Sequence, residues 1–214
     1  MNLENIKLVT HSAIRIINEK DKIIYFDPFK LENKFNDDAD YIFITHPHYD
    51  HFSPEDIIQI KNDNTIIIVP SELSEKCLNL GFKQNQIITV SVNNEYKVGN
   101  LSFKTVPAYN LNKDFHKKDF DWVGYVINID NTIIYIAGDT DNIPEIQNIK
   151  CDIAFVPVGG TYTMTYKEAA DLVKIIKPKV AIPIHYKTIV GTYEDAENFV
   201  KELNGKINTI ILMK

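Results

Sequence analysis

The sequence predicts an α/β protein, and a faint recurrence of its strands suggests two similar halves, each then a sheet with helices on its outside. Short β-prone apolar runs dominate the chain, capped helical stretches are few, and three of the runs recur in the same order later in the chain.

Taken in order, residues 8–18 alternate in part and read as one strand. Ile23-Ile24-Tyr25-Phe26 is a second, closed by Asp27-Pro28. Tyr41-Ile42-Phe43-Ile44 and Ile66-Ile67-Ile68-Val69 have the unbroken apolar character of buried strands, the latter stopping at Pro70. Further strands are expected near 87–90, 101–106, 122–129, 133–136, 153–156, 180–184 and 207–212. Ser53-Pro54 joins an N-cap to proline at the first helical position, starting a helix to about Ile60. Residues 71–80 read as a helix ended by Gly81. Thr165-Tyr166-Lys167-Glu168 fits a capping box and opens a helix to Ile176, before Pro178. Residues 193–203 are amphipathic and stop near Gly205.

The recurrence is specific in order and spacing. Ile23–Asp27 echoes residues 133–137 (135 − 25 = 110), Asp40–Ile44 echoes 152–156 (152 − 40 = 112), and Ile68-Val69-Pro70 echoes Ala181-Ile182-Pro183 (181 − 68 = 113). Buried strands also resemble one another by composition alone, so the sequence leaves both explanations open. No linker separates the halves, and residues 1–214 read as a single domain.

Composition narrows the function classes. A net charge of −6, with no Lys/Arg run longer than Lys117-Lys118, argues against nucleic acid and fits a small-molecule substrate or a bound cation. Cys77 and Cys151 form neither a disulfide framework nor a CxxC site and suit a reducing compartment. The N-terminus has no signal-peptide pattern, and no apolar run approaches the ~20 residues of a membrane span. A cytoplasmic protein is expected, with no preference of oligomeric state.

The chemistry concentrates in Thr45-His46-Pro47-His48-Tyr49-Asp50-His51, where three of the chain's six histidines lie within six residues. The cluster follows the 41–44 strand and precedes the Ser53 cap, so it occupies a strand-to-helix loop, where α/β proteins place their sites. Pro47 keeps His46 out of helical geometry. Neutral imidazoles and carboxylates are the usual ligands of zinc and its neighbours, and a dense loop brings them together at little entropic cost. Asp139, in Ala137-Gly138-Asp139-Thr140, ends a buried strand, as does His185 in Ile182-Pro183-Ile184-His185. A carboxylate there is costly without a partner, and a metal removes the cost.

These motifs resemble the metallo-β-lactamase superfamily: the His46–His51 loop matches its signature, and Gly138-Asp139-Thr140 and His185 match its later motifs in order. Asp27-Pro28-Phe29 and His11-Ser12-Ala13 look like the branch of L-ascorbate-6-phosphate lactonases and N-acylphosphatidylethanolamine phospholipase D. The resemblance implies a four-layer αββα sandwich of two similar halves. It implies His46 and His48 on a first metal, Asp50, His51 and His185 on a second, and Asp139 bridging both. The implied activity is a metal-dependent hydrolase, in which a metal-bound hydroxide, oriented by Asp50, attacks an ester, lactone or phosphodiester. One or two zinc ions are expected, with manganese or iron as substitutes.

The chain departs from the family at one place. The further histidine of the first metal has no counterpart in Val106-Pro107-Ala108-Tyr109-Asn110, where Asn110 is the occupant. Either His116, six residues on, reaches in from the following loop, or the first metal keeps three protein ligands or is lost. A non-catalytic metal-binding sensor with a degenerate first site is therefore the alternative function. Iron redox chemistry is disfavoured, because the diiron members carry glutamate where His48 stands. An anionic substrate group would find amides in Gly159-Gly160-Thr161-Tyr162-Thr163-Met164-Thr165 and basic side chains in Lys113, Lys117 and Lys118. His11 and His116 are further near-site candidates.

Overall fold

The apolar runs become the strands of two mixed sheets in the computed structural model, which describes residues 2–213. The chain divides into two units, Met1–Ser91 and Val92–Lys214, with one sheet in each.

In Met1–Ser91 the sheet is formed by β1 (Ile6–Thr10), β2 (Ala13–Ile17), β3 (Ile23–Phe26), β4 (Ala39–Phe43), β5 (Lys61–Pro70) and β6 (Ile87–Val90), in sequence order. β1, β2 and β3 are antiparallel neighbours, and β3 to β6 are parallel. The single strand expected over 8–18 is two strands, broken by a turn at His11-Ser12 in which His11 takes a left-handed φ of 43°. The two-residue turn leaves the alternation of apolar residues in step on both sides, which hides the reversal from the sequence pattern.

The parallel crossovers carry helices α1 (Pro54–Ile60) and α2 (Ser74–Asn79). The Ser53 side chain accepts the Asp56 N–H, as the sequence predicts. The helix expected over 71–80 opens as a 3-10 turn, because Pro70 offers no side-chain cap to its first amides.

Val92–Lys214 contains β7 (Glu95–Val98), β8 (Leu101–Pro107), β9 (Val123–Ile129), β10 (Thr132–Ile136), β11 (Ile153–Pro157), β12 (Val180–Ile184) and β13 (Asn208–Thr209). β7 to β10 are antiparallel neighbours and β10 to β13 parallel. β7 escapes sequence reading because Glu95-Tyr96-Lys97-Val98 is half polar, as suits an edge strand. The strand expected over 207–212 pairs only at Asn208 and Thr209. α3 (Tyr166–Ile176) and α4 (Tyr193–Leu203) both start in full capping boxes, Thr165 with Glu168 and Thr192 with Asp195. They pack on each other, α3 on β11 and α4 on β12.

The recurrence in the sequence is a recurrence of topology. β3, β4 and β5 repeat as β10, β11 and β12, three adjacent parallel strands, each set led by an antiparallel hairpin. These strands hold many of the fully buried side chains of each unit, including Tyr25, Phe26, Phe43, Tyr135 and Phe155. The topology also fixes the strand directions. Within the first sheet β1 runs the same way as β3, β4 and β5, and within the second β8 runs with β10, β11 and β12. The carboxyl ends of each set share one sheet edge, where α/β sheets bind ligands. Among the described residues no helix is long and apolar enough to cross a membrane.

Candidate functional site

Every candidate metal ligand of the sequence lies at one of these carboxyl edges. In Met1–Ser91, His11 follows β1, Asp27 follows β3, and the loop from Thr45 to His51 follows β4. His11, Asp27, Thr45, His46, Asp50 and His51 are all buried. The loop is turned inward by its own backbone: the N–H groups of His51 and Phe52 both donate to the His48 carbonyl, at 3.0 and 2.7 Å.

Asp27 is the hub of this edge. It is 1% exposed, with a left-handed φ of 45° and its N–H on the Phe43 carbonyl at 2.9 Å. Its carboxylate accepts the Thr45 N–H at 2.8 Å, the Thr45 hydroxyl at 2.7 Å and His51 Nδ1 at 2.8 Å. A carboxylate only accepts, so the Thr45 hydroxyl spends its one proton on Asp27 and must accept from His46 Nδ1, 2.9 Å away. Both His46 and His51 are thereby set with the proton on Nδ1 and the lone pair on Nε2.

Those Nε2 atoms face further side chains of the same edge. His46 Nε2 is 3.1 Å from His48 Nδ1, His51 Nε2 is 3.7 Å from Asp50 Oδ2, and His11 Nε2 is 3.3 Å from the same oxygen. Donor atoms about 2.0–2.1 Å from a tetrahedral metal stand roughly 3.3 Å apart. The spacing fits a cation among these side chains, as does the His51 Nε2 lone pair facing the Asp50 carboxylate.

Val92–Lys214 has the same character with a different construction. Asp139 follows β10, His185 follows β12 with a left-handed φ of 59°, and Asn110 and His116 lie on the loop after β8. Asp139 Oδ2 is 3.0 Å from His185 Nε2 and 3.3 Å from His116 Nε2, and all three residues are almost fully buried. Two histidine nitrogens on one carboxylate oxygen, at ligand-to-ligand spacing, again fit a bound cation.

A family model described as the beta-lactamase superfamily domain matches residues 5–185. The chain belongs to that family. UPF0173 metal-dependent hydrolases from Methanosphaera stadtmanae and Staphylothermus marinus are each 32% identical to it, over 92% and 98% of this chain and 90% and 95% of theirs. A crystal structure from Parabacteroides distasonis matches with a TM-score of 0.85 at 28% identity, covering 98% of this chain and 93% of that one. The fold is also that of Igni18, a metallo hydrolase from Ignicoccus hospitalis, with a TM-score of 0.79 at 23% identity and coverage of 96% and 93%. Two mixed sheets with helices are thus a metallo-β-lactamase fold.

In this superfamily member the segment after β11 has a packing role that the sequence reading did not foresee. A Cβ on Gly159 would run into the His185 carbonyl and come within 2.9 Å of Val190 Cγ2. Bare backbone at Gly159 lets the 185–191 turn close over it. The amides expected for an anion are engaged internally: Gly160 N–H with the Met164 carbonyl, Thr161 N–H with Gly159, and Met164 N–H with Thr140. The three lysines are each matched by a carboxylate, Lys113 by Asp141 at 2.5 Å, Lys117 by Asp114 at 3.7 Å and Lys118 by Glu145 at 2.8 Å. Glu145 is held below the usual carboxylate range, chiefly by Lys118.

Sequence reasoning passed over Asp27, Thr45 and Asp141 as functional residues. Asp27 carried a signal, an aspartate directly ending a buried strand run, the same pattern that singled out Asp139. Asp141 and the hydroxyl of Thr45 carried none, since their partners lie far away or depend on a hydrogen-bond direction.

Proposed function

We propose that this chain is a metal-dependent hydrolase of an ester, lactone or phosphodiester. The observation that carries the proposal is the His46–His51 loop with its carboxylate hub. Two histidines are held by Asp27, directly or through Thr45, with the proton on Nδ1 and the Nε2 lone pair left for a ligand role. His51 Nε2 and the Asp50 carboxylate are two acceptors 3.7 Å apart, an arrangement a cation would stabilise. The hydrolase names of the 32% identical relatives support the same reading.

We assign His46, His48, Asp50, His51, Asp139 and His185 as metal ligands, in the pattern the superfamily resemblance implies. A bound divalent transition metal supplies a Lewis acid and a water acidic near neutral pH. Zinc suits the His/Asp set, as do manganese and iron. Asp27 and Thr45 keep the imidazoles of His51 and His46 in the ligating tautomer. Asp50 accepts a hydrogen bond from the attacking water and orients it. Cys77 and Cys151 are free thiols whose burial pushes both up to about 12, which suits the reducing cytoplasm we assign.

The test is metal content by inductively coupled plasma mass spectrometry on protein purified without chelators, with turnover on ester, lactone and phosphodiester panels. Bound metal and hydrolysis, both lost in His51→Ala, are expected. Bound metal without turnover on any panel would make the chain a metal-binding sensor instead.

A further inference from the structure

We infer that His116 is a metal ligand beside Asp139 and that Asn110, where the superfamily pattern has a histidine, is the positioning residue for it. The inference rests on the metal-dependent reading above.

Asn110 is buried and its amide orientation is decided by its neighbours. Nδ2 lies 3.2 Å from Asp141 Oδ1 and 2.9 Å from the Tyr162 carbonyl. Both of those only accept, so the amide nitrogen occupies that end and Oδ1 is left facing His116 Nδ1 at 3.0 Å. An amide oxygen also only accepts, which places the proton of the neutral His116 ring on Nδ1. The lone pair then sits on Nε2, 3.3 Å from Asp139 Oδ2. Asn110 itself is a poor ligand: its oxygen is occupied by His116 and its nitrogen has no lone pair to give.

The loop between the two residues is built to hold this geometry. Asn110 N–H donates to the His116 carbonyl at 2.7 Å. The buried Asp141 carboxylate takes Leu111 N–H at 2.9 Å and Lys113 Nζ at 2.5 Å, and the Asp141 N–H returns to the Tyr109 carbonyl at 2.9 Å. The His116 ring stands edge-on to Trp122, with centroids 5.4 Å apart. The ligand role has therefore moved six residues along the chain, and the strand-end position has become its support, as carboxylates and carbonyls are for ligating histidines elsewhere.

The experiment is a zinc titration of the full chain against a chromophoric chelator, together with nitrogen-15 NMR of the His116 ring in the metal-free protein. His116→Asn is the informative ligand variant, because it keeps an N–H for Asn110 while removing Nε2. The wild type is expected to bind two zinc ions and to show His116 as the Nδ1–H tautomer. His116→Asn should keep the melting temperature and lose one zinc. Asn110→Leu should weaken that same zinc by about 10- to 100-fold and release the His116 tautomer. Two zinc ions at wild-type affinity in His116→Asn, or an unchanged tautomer and affinity in Asn110→Leu, would overturn the inference. A wild-type chain that binds no zinc, manganese or iron would instead overturn the metal-dependent reading.

Discussion

In Met1–Ser91 the candidate ligands His46, His48, Asp50 and His51 come from one loop after β4, and only His11 is drawn from elsewhere. In Val92–Lys214 the candidates His116, Asp139 and His185 come from three loops, after β8, β10 and β12. The two sheets repeat the same strand pattern, yet one edge concentrates its chemistry and the other disperses it. The difference lies in what holds the side chains. A single short loop can be aimed by one buried carboxylate, Asp27, through three contacts. Dispersed ligands need each segment secured separately: Asp141 for the His116 loop, and the glycine contact at Gly159 for the His185 turn.

The comparison breaks first at the two aspartate hubs. Asp27→Ala leaves the Thr45 N–H, the Thr45 hydroxyl and His51 Nδ1 without their buried acceptor, at about 1–3 kcal/mol for each group stranded. A loss of roughly 3 kcal/mol or more is expected in urea unfolding, with metal affinity falling as well. Asp141→Ala should cost less, because Lys113 is part-exposed and water can replace its partner. Equal losses in the two variants would mean that both edges are concentrated in the energetic sense.

A smaller effect is expected at Gly159→Ala, where the added methyl meets the His185 backbone and Val190. Overpacking of that kind costs about 1–3 kcal/mol, and here it should also displace His185. The ring signals of His185 should shift in NMR while those of His46 and His51 stay in place. A shift confined to residues near α3, with His185 unmoved, would remove the glycine from the site.

The smallest effect sharpens the fold side of the comparison. Thr165→Ala removes the cap of α3 and should cost about 1 kcal/mol, read as a lowered urea midpoint with unchanged slope. Ser53→Ala, at the cap of the shorter α1, should cost less, since its hydrogen bond to Asp56 N–H is long at 3.4 Å.

Much of this was legible before any coordinates. The runs at 23–26, 87–90 and 180–184 are strands with the bounds the sequence suggests, and the caps at Ser53 and Thr165 are where propensity puts them. Local chemistry suffices for such features, because a cap or a buried run is decided by neighbours a few residues away. The failures share a cause. β7 is an edge strand whose half-polar composition gives no local signal, and the His11-Ser12 turn preserves the alternation on both sides of it. The packing role of Gly159 was hidden because only the His185 backbone, 26 residues later (185 − 159), reveals why it is bare.

What the sequence determined by itself was the main buried strands, the helix starts, and a histidine-rich loop with the ligand types and spacing for a transition metal. Those are properties of short stretches of chain. Tertiary structure alone decided that His11 joins Asp50, that Asp27 and Thr45 set the protons of two histidines, and that Asn110 supports His116. Each of those depends on the direction of a hydrogen bond between residues brought to one sheet edge by parallel strands, and no pattern within a single segment carries that direction.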